Sequence, residues 1–251
     1  MSGNSRYVAG IHSVRTALKH GADKLQGVWF DARRNDRRLG QLLSEARKLG
    51  VQVLASDKAG LDRLVGGAQH QGVVAKVDMP AARGEDYLDR LLEELSEAPF
   101  LLVLDGVQDP HNLGACLRTA DAAGVHAVIA PRDRAVGLTP VACKVASGAA
   151  ETVPFIQVTN LARTLRQLRE ACGLWVVGLA GDAEQSIYQA NLKGPLVIVM
   201  GSEEKGMRRL TREQCDLLVS LPMVGAVESL NVSVATAVAL FEAVRQRGKQ
   251  G

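Results

Sequence analysis

Five polar residues of this 251-residue chain follow predicted strands, and their side chains are of the kinds that orient substrates and transfer protons. Ligands of open parallel sheets bind beyond the carboxyl ends of the strands, so side chains in the loops that follow the strands are candidates for one shared pocket. Two amides, a carboxylate, a hydroxyl and a guanidinium could together hold a polar substrate, assist a proton transfer and bind an anion. The five candidates are Asn112, Arg118, Glu203, Ser229 and Asn231.

Each candidate also has a purely structural explanation. Asn112 stands where a helix N-cap is expected, and capping of the final helix accounts for one of Ser229 and Asn231. Arg118 would ordinarily be a surface or salt-bridging arginine, and Glu203 a solvated loop carboxylate. Taken singly, these explanations are favoured. Taken together, the repeated placement of polar residues after strands favours a binding site.

The 25 glycines exclude the common nucleotide-binding loops. No two glycines are separated by a single residue, so the Gly-x-Gly of dinucleotide-binding and protein-kinase loops is absent. The nearest approach to a phosphate loop, Gly201-Ser-Glu-Glu-Lys-Gly206, would place two carboxylates against any phosphate, which excludes a P-loop nucleotidase. The four cysteines form no Cys-x-x-Cys pair and no histidine lies at ligand spacing from one, so we expect no metal site.

Two α/β modules are predicted to position these loops. Residues 1–78 alternate short helices and strands and form a small α/β domain. Residues 79–98 are predicted as a linker followed by an acidic helix over 85–97. The second module, over 99–251, contains continuous apolar strands such as Leu196-Val-Ile-Val-Met200, which are typical of a parallel sheet covered by helices on both faces.

Three local predictions in the second module can be compared directly with a structure. They are a helix over 113–123 after the first strand, a strand over 152–155, and a final helix over 231–246 whose core-facing stripe is Val234, Val238, Phe241 and Val244.

The net charge of +3 is unevenly distributed along the chain. Residues 1–78 carry a net +6, residues 79–98 a net −4, and residues 99–251 a net +1. Basic residues are densest in Asp31-Ala-Arg-Arg-Asn-Asp-Arg-Arg38. This segment is either a solvated helix start with local Asp–Arg pairing or a patch that neutralises phosphates, and the excess over the whole module slightly favours the second.

The composition predicts a cytosolic protein without a membrane anchor. The longest apolar stretches are far too short to span a bilayer. Residues 1–10 lack the apolar core of a signal peptide, and four unpaired cysteines are typical of a cell interior.

Three segments of the second module resemble the signature motifs of the SpoU-type RNA ribose methyltransferases of the SPOUT superfamily. They are Asn112-Leu-Gly-Ala-Cys-Leu-Arg-Thr-Ala120, Gly201-Ser-Glu-Glu-Lys-Gly206 and Pro222-Met-Val-Gly-Ala-Val-Glu-Ser-Leu-Asn-Val-Ser-Val-Ala235. Three motifs in the right order over about 125 residues are a specific signal. Tyr7-Val-Ala-Gly-Ile-His-Ser-Val likewise resembles the opening of the family's substrate-binding domain, which is similar to ribosomal protein L30e.

The resemblance implies a fold and a cofactor that periodicity could not indicate. The fold would be α/β, with an L30e-like RNA-binding domain and a C-terminal SPOUT parallel-sheet domain threaded as a trefoil knot, against the strong preference for unknotted chains. S-adenosyl-L-methionine would bind at the knot among backbone groups. By position in the motifs, its contacts would be Gly201, Leu221 and Leu230, with Leu179 and Met223 as weaker candidates.

The resemblance also implies partners and a reaction. The chain would form a homodimer whose interface lies close to the active site, and would methylate a guanosine ribose 2′-hydroxyl in the peptidyl-transferase loop of 23S ribosomal RNA. Arg118 would have the central catalytic role as the base, although a guanidinium resists deprotonation and a phosphate clamp uses the same geometry. Asn112, Glu203, Ser229 and Asn231 would orient Arg118, the ribose or both.

Two alternatives remain open from the residues alone. One is a ribose methyltransferase that acts on transfer RNA, because no residue identifies the substrate directly. The other is a non-catalytic RNA-binding protein of ribosome assembly, although the intact set of polar residues argues against it.

Overall fold

The computed structural model describes residues 5–34, 36–67, 69–78 and 80–248. The chain divides after Pro80 into two compact units. This division lies two residues beyond the predicted end of the first domain, and residue 79 of the predicted linker lies outside the described residues.

The first unit is a four-stranded mixed sheet with three helices. Its strands are β1 (Ser5–Ala9), β2 (Leu25–Asp31), β3 (Val53–Ser56) and β4 (Val73–Asp78), and its helices are α1 (Ile11–Gly21), α2 (Arg37–Lys48) and α3 (Lys58–Val65). The strand order is β1-β4-β2-β3, with β2 parallel to β3 and β4 antiparallel to both of its neighbours. The apolar face of α2, formed by Leu39, Leu42, Leu43 and Ala46, is buried in the core of this unit.

The second unit is built on a six-stranded parallel sheet. Its strands are β5 (Phe100–Asp105), β6 (Ala127–Pro131), β7 (Phe155–Val158), β8 (Trp175–Leu179), β9 (Leu196–Gly201) and β10 (Leu217–Val219), in the order β10-β8-β9-β5-β6-β7. Every pairing is parallel, so all six strands end at the same edge. All six residues of β5 are buried, as the continuous apolar pattern of such a central strand predicts.

Seven helices accompany this sheet among the described residues. They are α4 (Glu85–Glu94), α5 (Pro110–Ala122), α6 (Pro140–Ala146), α7 (Ala149–Thr152), α8 (Leu161–Glu170), α9 (Arg209–Arg212) and α10 (Val232–Arg247). Leu88 of α4 and the apolar face of α8 pack into the main core with the buried faces of β5, β6 and β9. The acidic helix therefore belongs by its contacts to the second unit. The family's trefoil knot stays a prediction.

The strand predicted over 152–155 is wrong. Residues up to Thr152 belong to α7, and β7 begins at Phe155. Pro154 separates the two elements; it has no N–H to donate to a sheet, and the strand starts directly after it. The β-branched residues Thr152 and Val153 predict the start of a strand, because such residues favour strands. In the folded chain, tertiary packing overrides that preference.

The predicted core stripe of α10 is also wrong. Val234 and Phe241 are each 48% exposed, whereas Val232, Ala239 and Leu240 are buried. Apolar residues surround this helix on nearly all sides, so periodicity identifies the helix but cannot choose its buried face. The consequence is an apolar strip on the surface of the second unit.

The described residues contain no helix with the length and apolar character needed to cross a bilayer. Within the same residues, no cluster of three or more histidine, cysteine or acidic side chains has the arrangement of a metal site.

Candidate active site

A pocket of about 430 Å³ opens at the edge where the parallel strands end. This volume lies in the range of small-molecule sites. Its walls come from the loops that follow β8, β9 and β10 and from the start of α10. The lining includes all five residues predicted to contact a cofactor, namely Leu179, Gly201, Leu221, Met223 and Leu230.

Gly201 shapes this pocket because the chain returns very close to it. A Cβ atom at Gly201 would lie 2.1 Å from the carbonyl carbon of Gly206 and 2.2 Å from the backbone nitrogen of Met207. Ser202 and Gly206 exchange backbone hydrogen bonds of 2.9 and 3.1 Å, which closes the loop back onto the end of β9. Gly206 turns with φ +63, a left-handed conformation that glycine adopts without strain.

Three of the predicted catalytic residues form one hydrogen-bonded cluster beside the pocket. Glu203 Oε1 accepts from Asn112 Nδ2 at 3.2 Å, from the Val232 backbone N–H at 3.1 Å and from Asn231 Nδ2. Asn231 Nδ2 also donates to Asn112 Oδ1 at 3.0 Å. Asn112 is buried, while Glu203 and Asn231 remain exposed. The carboxylate is thus held by neutral donors, and Glu203 belongs to both the cluster and the pocket lining.

The helix starts place the two asparagines, although not in the way that the sequence predicted for Asn112. Asp109 caps α5, because its Oδ1 accepts from the His111 N–H at 2.9 Å, and Pro110 occupies the first helical position. The N-cap role predicted for Asn112 is therefore wrong, and its amide is free for the cluster. Asn231 does cap α10 through Ser233 N at 3.0 Å while its amide nitrogen serves the cluster.

The structure places the other two predicted catalytic residues differently. Ser229 lines the pocket near Glu203. Arg118 is exposed and does not line the pocket, and its side chain forms no hydrogen bond or ion pair with any described residue. It lies six residues after Asn112 on α5, which turns it about 120° away from Asn112 and about 9 Å along the helix. One chain thus joins three of the five residues in the cluster and places Ser229 in the lining of the adjacent pocket.

Family models match both units of the chain. Residues 99–241 match the model described as the SpoU rRNA methylase family, and residues 7–82 match the model described as RNA 2′-O ribose methyltransferase substrate binding. The first match alone covers more than half of the chain. The chain belongs to the SpoU rRNA methylase family.

Close relatives support this membership over nearly the whole length. The 23S rRNA (guanosine-2′-O-)-methyltransferase RlmB of Ralstonia nicotianae is 56% identical over 243 residues, which cover 97% of this chain and 96% of the relative. The enzyme of the same name from Pseudomonas putida is 57% identical over 240 residues, 96% of each chain. Among solved structures, the SpoU methyltransferase AviRb from Streptomyces viridochromogenes in complex with AdoMet aligns with a TM-score of 0.78 at 26% identity, covering 98% of this chain and 92% of that chain.

Sequence reasoning missed an ion pair that lines the pocket of this SpoU family member. Asp182 and Arg212 form a bidentate contact, with Nη1 to Oδ1 at 2.9 Å and Nη2 to Oδ2 at 3.0 Å. The guanidinium holds the pKa of the Asp182 carboxyl below its usual value. Asp182 follows a predicted strand and could have been noticed, but Arg212 lies on the four-residue helix α9, which has no sequence signal.

Asp105 was also not among the predicted site residues. It holds the end of the loop that follows Gly201. Its side chain is fully buried at the end of β5, where Oδ2 accepts from the Arg208 N–H at 2.7 Å. Arg208 Nε lies 3.3 Å from the other carboxylate oxygen. The loop that begins at Gly201 is therefore attached to the sheet at its end as well as at its start.

Cys116, beneath the cluster, is not a nucleophile. Its thiol lies 3.6 Å from Thr236 Oγ1, between α5 and α10. Burial raises the pKa of this thiol to about 11, so it stays protonated near neutral pH. The chemistry of the site therefore rests on oxygen and nitrogen groups.

The arginine-rich segment of the first unit shows the predicted local Asp–Arg pairing, while its phosphate-binding role stays a prediction. Asp36 caps α2 through the Arg38 N–H at 2.8 Å and accepts a side-chain hydrogen bond from Arg34 at 3.0 Å. This bond from Arg34 is the main reason that the pKa of the Asp36 carboxyl lies below its usual value. Arg33, Arg37 and Arg38 are exposed, and no described residue pairs with their guanidinium groups. Local pairing thus uses one arginine and leaves three at the surface.

Proposed function

We propose that this chain transfers a methyl group from S-adenosyl-L-methionine to the ribose 2′-hydroxyl of a guanosine in 23S ribosomal RNA. The observation that carries the proposal is the Asn112–Glu203–Asn231 cluster next to a pocket of cofactor size. The names of the relatives that match nearly the whole chain support the choice of ribosomal RNA and guanosine.

The pocket lining fits S-adenosyl-L-methionine. Leu179, Leu221 and Leu230 offer apolar surface to the faces of an adenine ring. Asp182 and Arg212 offer a carboxylate and a guanidinium to a ligand that carries hydroxyl, ammonium and carboxylate groups. When bound, the cofactor supplies a methyl group already activated by a sulfonium, so the protein has no need to polarise it.

The cluster residues orient the acceptor. A ribose hydroxyl is a weak nucleophile near neutral pH, so its position and the fate of its proton govern the rate. Glu203 Oε1 accepts hydrogen bonds from three donors, whereas Oε2 accepts none from the described residues. That second oxygen can accept a hydrogen bond from the ribose or from a guanidinium. Asn112 and Asn231 keep the carboxylate in place for this role.

Arg118 is the residue we propose to contact the reacting nucleotide, as a phosphate clamp that favours the ionised hydroxyl. Its side chain is exposed and has no partner among the described residues, which suits a group that binds another molecule. We propose that a second copy of the chain completes the site by bringing its own Arg118 close to the cluster.

The homodimer is supported by the exposed apolar strip of α10. Val234 and Phe241 lie seven residues apart on one face of the helix, and each is 48% exposed. Val141 of α6 adds a further exposed apolar side chain in the same unit. A self-complementary interface would remove such surface from water, which is the usual reason for a twofold dimer.

Mixed dimers test whether the site is shared between copies. Arg118→Ala and Asn231→Ala are each expected to be inactive as homodimers. Mixed after unfolding and refolding, they should recover about a quarter of wild-type activity if the two residues act from different copies, because half the dimers are mixed and each has one intact site. No recovery from dimers shown to be mixed would place both residues in one copy.

The function is tested by mapping ribose methylation in cells that lack the gene. We expect one guanosine of 23S ribosomal RNA to lose its 2′-O-methyl group, and the purified protein to restore it with S-adenosyl-L-methionine. Loss confined to transfer RNA would replace the proposed substrate, and an unchanged map together with no cofactor binding in calorimetry would identify a non-catalytic RNA-binding protein. The proposed substrate places the protein in the cytoplasm.

A further inference from the structure

Free arginines are few in the second unit. Among the described residues, most of its arginine side chains have an ion pair, a hydrogen bond or an aromatic ring as partner. The four without any of these are Arg118, Arg132, Arg134 and Arg166. Two of the four, Arg132 and Arg134, stand in one short loop directly after β6, and both are exposed. Half of these unpartnered arginines thus stand at the edge where the parallel strands end.

The loop 132–134 is held firmly by its backbone. Arg132 N donates to Val158 O at 2.8 Å, and Val136 N donates to Val107 O at 2.9 Å. Arg208 Nη2 donates to Asp133 O at 3.4 Å. The two arginine side chains therefore project from a backbone fixed by three neighbouring segments.

The same loop adjoins the segment that carries the catalytic carboxylate. A methyl group added at Gly106 would lie 4.0 Å from Arg134 O, 3.8 Å from Arg208 Nη2 and 3.9 Å from Ser202 Cβ. Ser202 lines the pocket and precedes Glu203. Loop 132–134 is therefore a neighbour of the active-site loop across Gly106.

Arg134 also adopts a backbone conformation that does not suit it. Its φ is +58, in the left-handed region that glycine and asparagine occupy most easily. An arginine there costs conformational energy, and its side chain forms no compensating hydrogen bond or ion pair with the described residues. Strain of this kind is commonly retained where the side chain has a role in binding.

We infer that Arg132 and Arg134 bind backbone phosphates of the RNA substrate beside the nucleotide to be methylated. A target ribose has a phosphate on each side, so cations next to the active-site loop can hold both its position and its register. The inference rests on the proposed function for the choice of RNA. Asp133 is the opposing charge on the loop, whereas the buried carboxylate of Asp105 is already neutralised by Arg208.

The test measures the affinity of the full-length protein for an unmodified 23S ribosomal RNA transcript at a series of salt concentrations. The double variant Arg132→Gln/Arg134→Asn should bind about ten-fold more weakly at about 150 mM salt, and its slope of log affinity on log salt should be shallower by about 1.5. Its affinity for S-adenosyl-L-methionine should stay within two-fold. Wild-type affinity and slope in this variant would overturn the inference.

Matched variants separate binding from folding. Arg166→Gln removes another exposed, unpartnered arginine from α8 and should change neither the affinity nor the slope. Arg134→Asn alone should melt at the same temperature as wild type or higher, because asparagine suits the left-handed backbone, and should still bind RNA more weakly. A lower melting temperature with unchanged RNA affinity would assign Arg134 a structural role instead.

The variant Asp133→Asn is expected to change RNA affinity in the opposite direction. Removing this carboxylate from between the two arginines should strengthen RNA binding about three-fold, since phosphates then meet less repulsion. Weaker binding would contradict a phosphate site. If the wild-type protein methylates a transfer RNA transcript and not 23S ribosomal RNA, the proposed substrate fails, and the same salt series on transfer RNA decides the inference separately.

Discussion

The two units present their polar groups in opposite ways. In the second unit, two amides and a carboxylate are joined in one hydrogen-bonded cluster, so each group has a fixed position. In the first unit, Arg33, Arg37 and Arg38, at or shortly before the start of α2, are exposed and their side chains have no partner among the described residues. A fixed cluster suits a reaction that depends on sub-ångström placement, whereas free cations suit attraction to a charged polymer at longer range. We therefore propose that the fixed cluster sets the geometry of the reaction, while the unpartnered arginines of the first unit, like Arg132 and Arg134, contribute affinity for RNA.

Arg118 is the sharpest test of this comparison, because it is an unpartnered arginine in the same unit as the fixed cluster. Arg118→Ala should lower the rate of methyl transfer by about a thousand-fold or more, since the reacting nucleotide loses its proposed clamp. Thermal stability should be unchanged and cofactor affinity should stay within a few-fold, because Arg118 touches neither the described core nor the pocket. Single-turnover kinetics and calorimetry would measure these quantities. Wild-type turnover would remove Arg118 from the mechanism.

Breaking the cluster should cost both rate and stability. Glu203→Ala leaves the buried amide of Asn112 with one partner fewer, so we expect about a hundred-fold loss of rate and about 1–2 kcal/mol of unfolding free energy. Glu203→Gln keeps the shape and serves as the matched variant, with a smaller loss of stability. Denaturant titration would measure the loss of unfolding free energy, and an activity assay would measure the loss of rate in the same variants. A slow but fully stable Glu203→Ala protein would mean that the cluster does not fix its members.

Removing the free cations of the first unit should affect affinity alone. The variant with Arg33, Arg37 and Arg38 changed to Gln should bind 23S ribosomal RNA about ten-fold more weakly at about 150 mM salt, with a shallower salt slope. Cofactor affinity and the rate at saturating RNA should match wild type. Lys19, Lys24 and Lys48 changed to Gln would provide a control of equal charge in the same unit. Equal losses of RNA affinity in both variants would indicate that the total charge of the unit, rather than this segment, determines RNA binding.

The smallest effect is expected at Glu242, a carboxylate held by a cation and an amide rather than by amides alone. Hydrogen bonds from Arg245 and Gln246 hold the pKa of the Glu242 carboxyl below its ordinary value of 4.5. A lowered folded pKa stabilises the protein above the unfolded value and loses that contribution as the pH falls through the folded one. Glu242→Gln should therefore cost about 1 kcal/mol near pH 7, because Arg245 is largely exposed, and progressively less below about pH 4.5. If the difference in unfolding free energy between wild type and Glu242→Gln did not change with pH, the hydrogen bonds to the ionised Glu242 could not be its cause.

Much of the fold could be predicted because the strands of the second unit are continuous apolar runs. Leu196 to Met200 has no polar residue, and the structure buries every one of these side chains in β9. The face of α10 was not predictable in the same way. Its apolar residues surround the helix, and whether Phe241 or Leu240 meets the core depends on contacts with other elements.

The site could be predicted as far as it depends on motif positions. Asn112, Glu203 and Asn231 meet because parallel strands deliver their loops to one edge, which the alternation of strands and helices already implied. Arg212 could not be found from sequence, because its short helix has no periodic signal and its partner Asp182 lies 30 residues away. The orientation of Arg118 was also beyond the motif, since it depends on where α5 begins.

The cluster joins residues that are far apart along the chain, and this bears on how the protein is made. Asn112 and Asn231 are separated by 119 positions, so their hydrogen bond cannot form until α10 has left the ribosome. Synthesis therefore produces the first unit and most of the sheet well before any competent centre exists. Before Asn231 emerges, a nascent chain already carries the exposed arginines of the first unit but lacks the complete cluster.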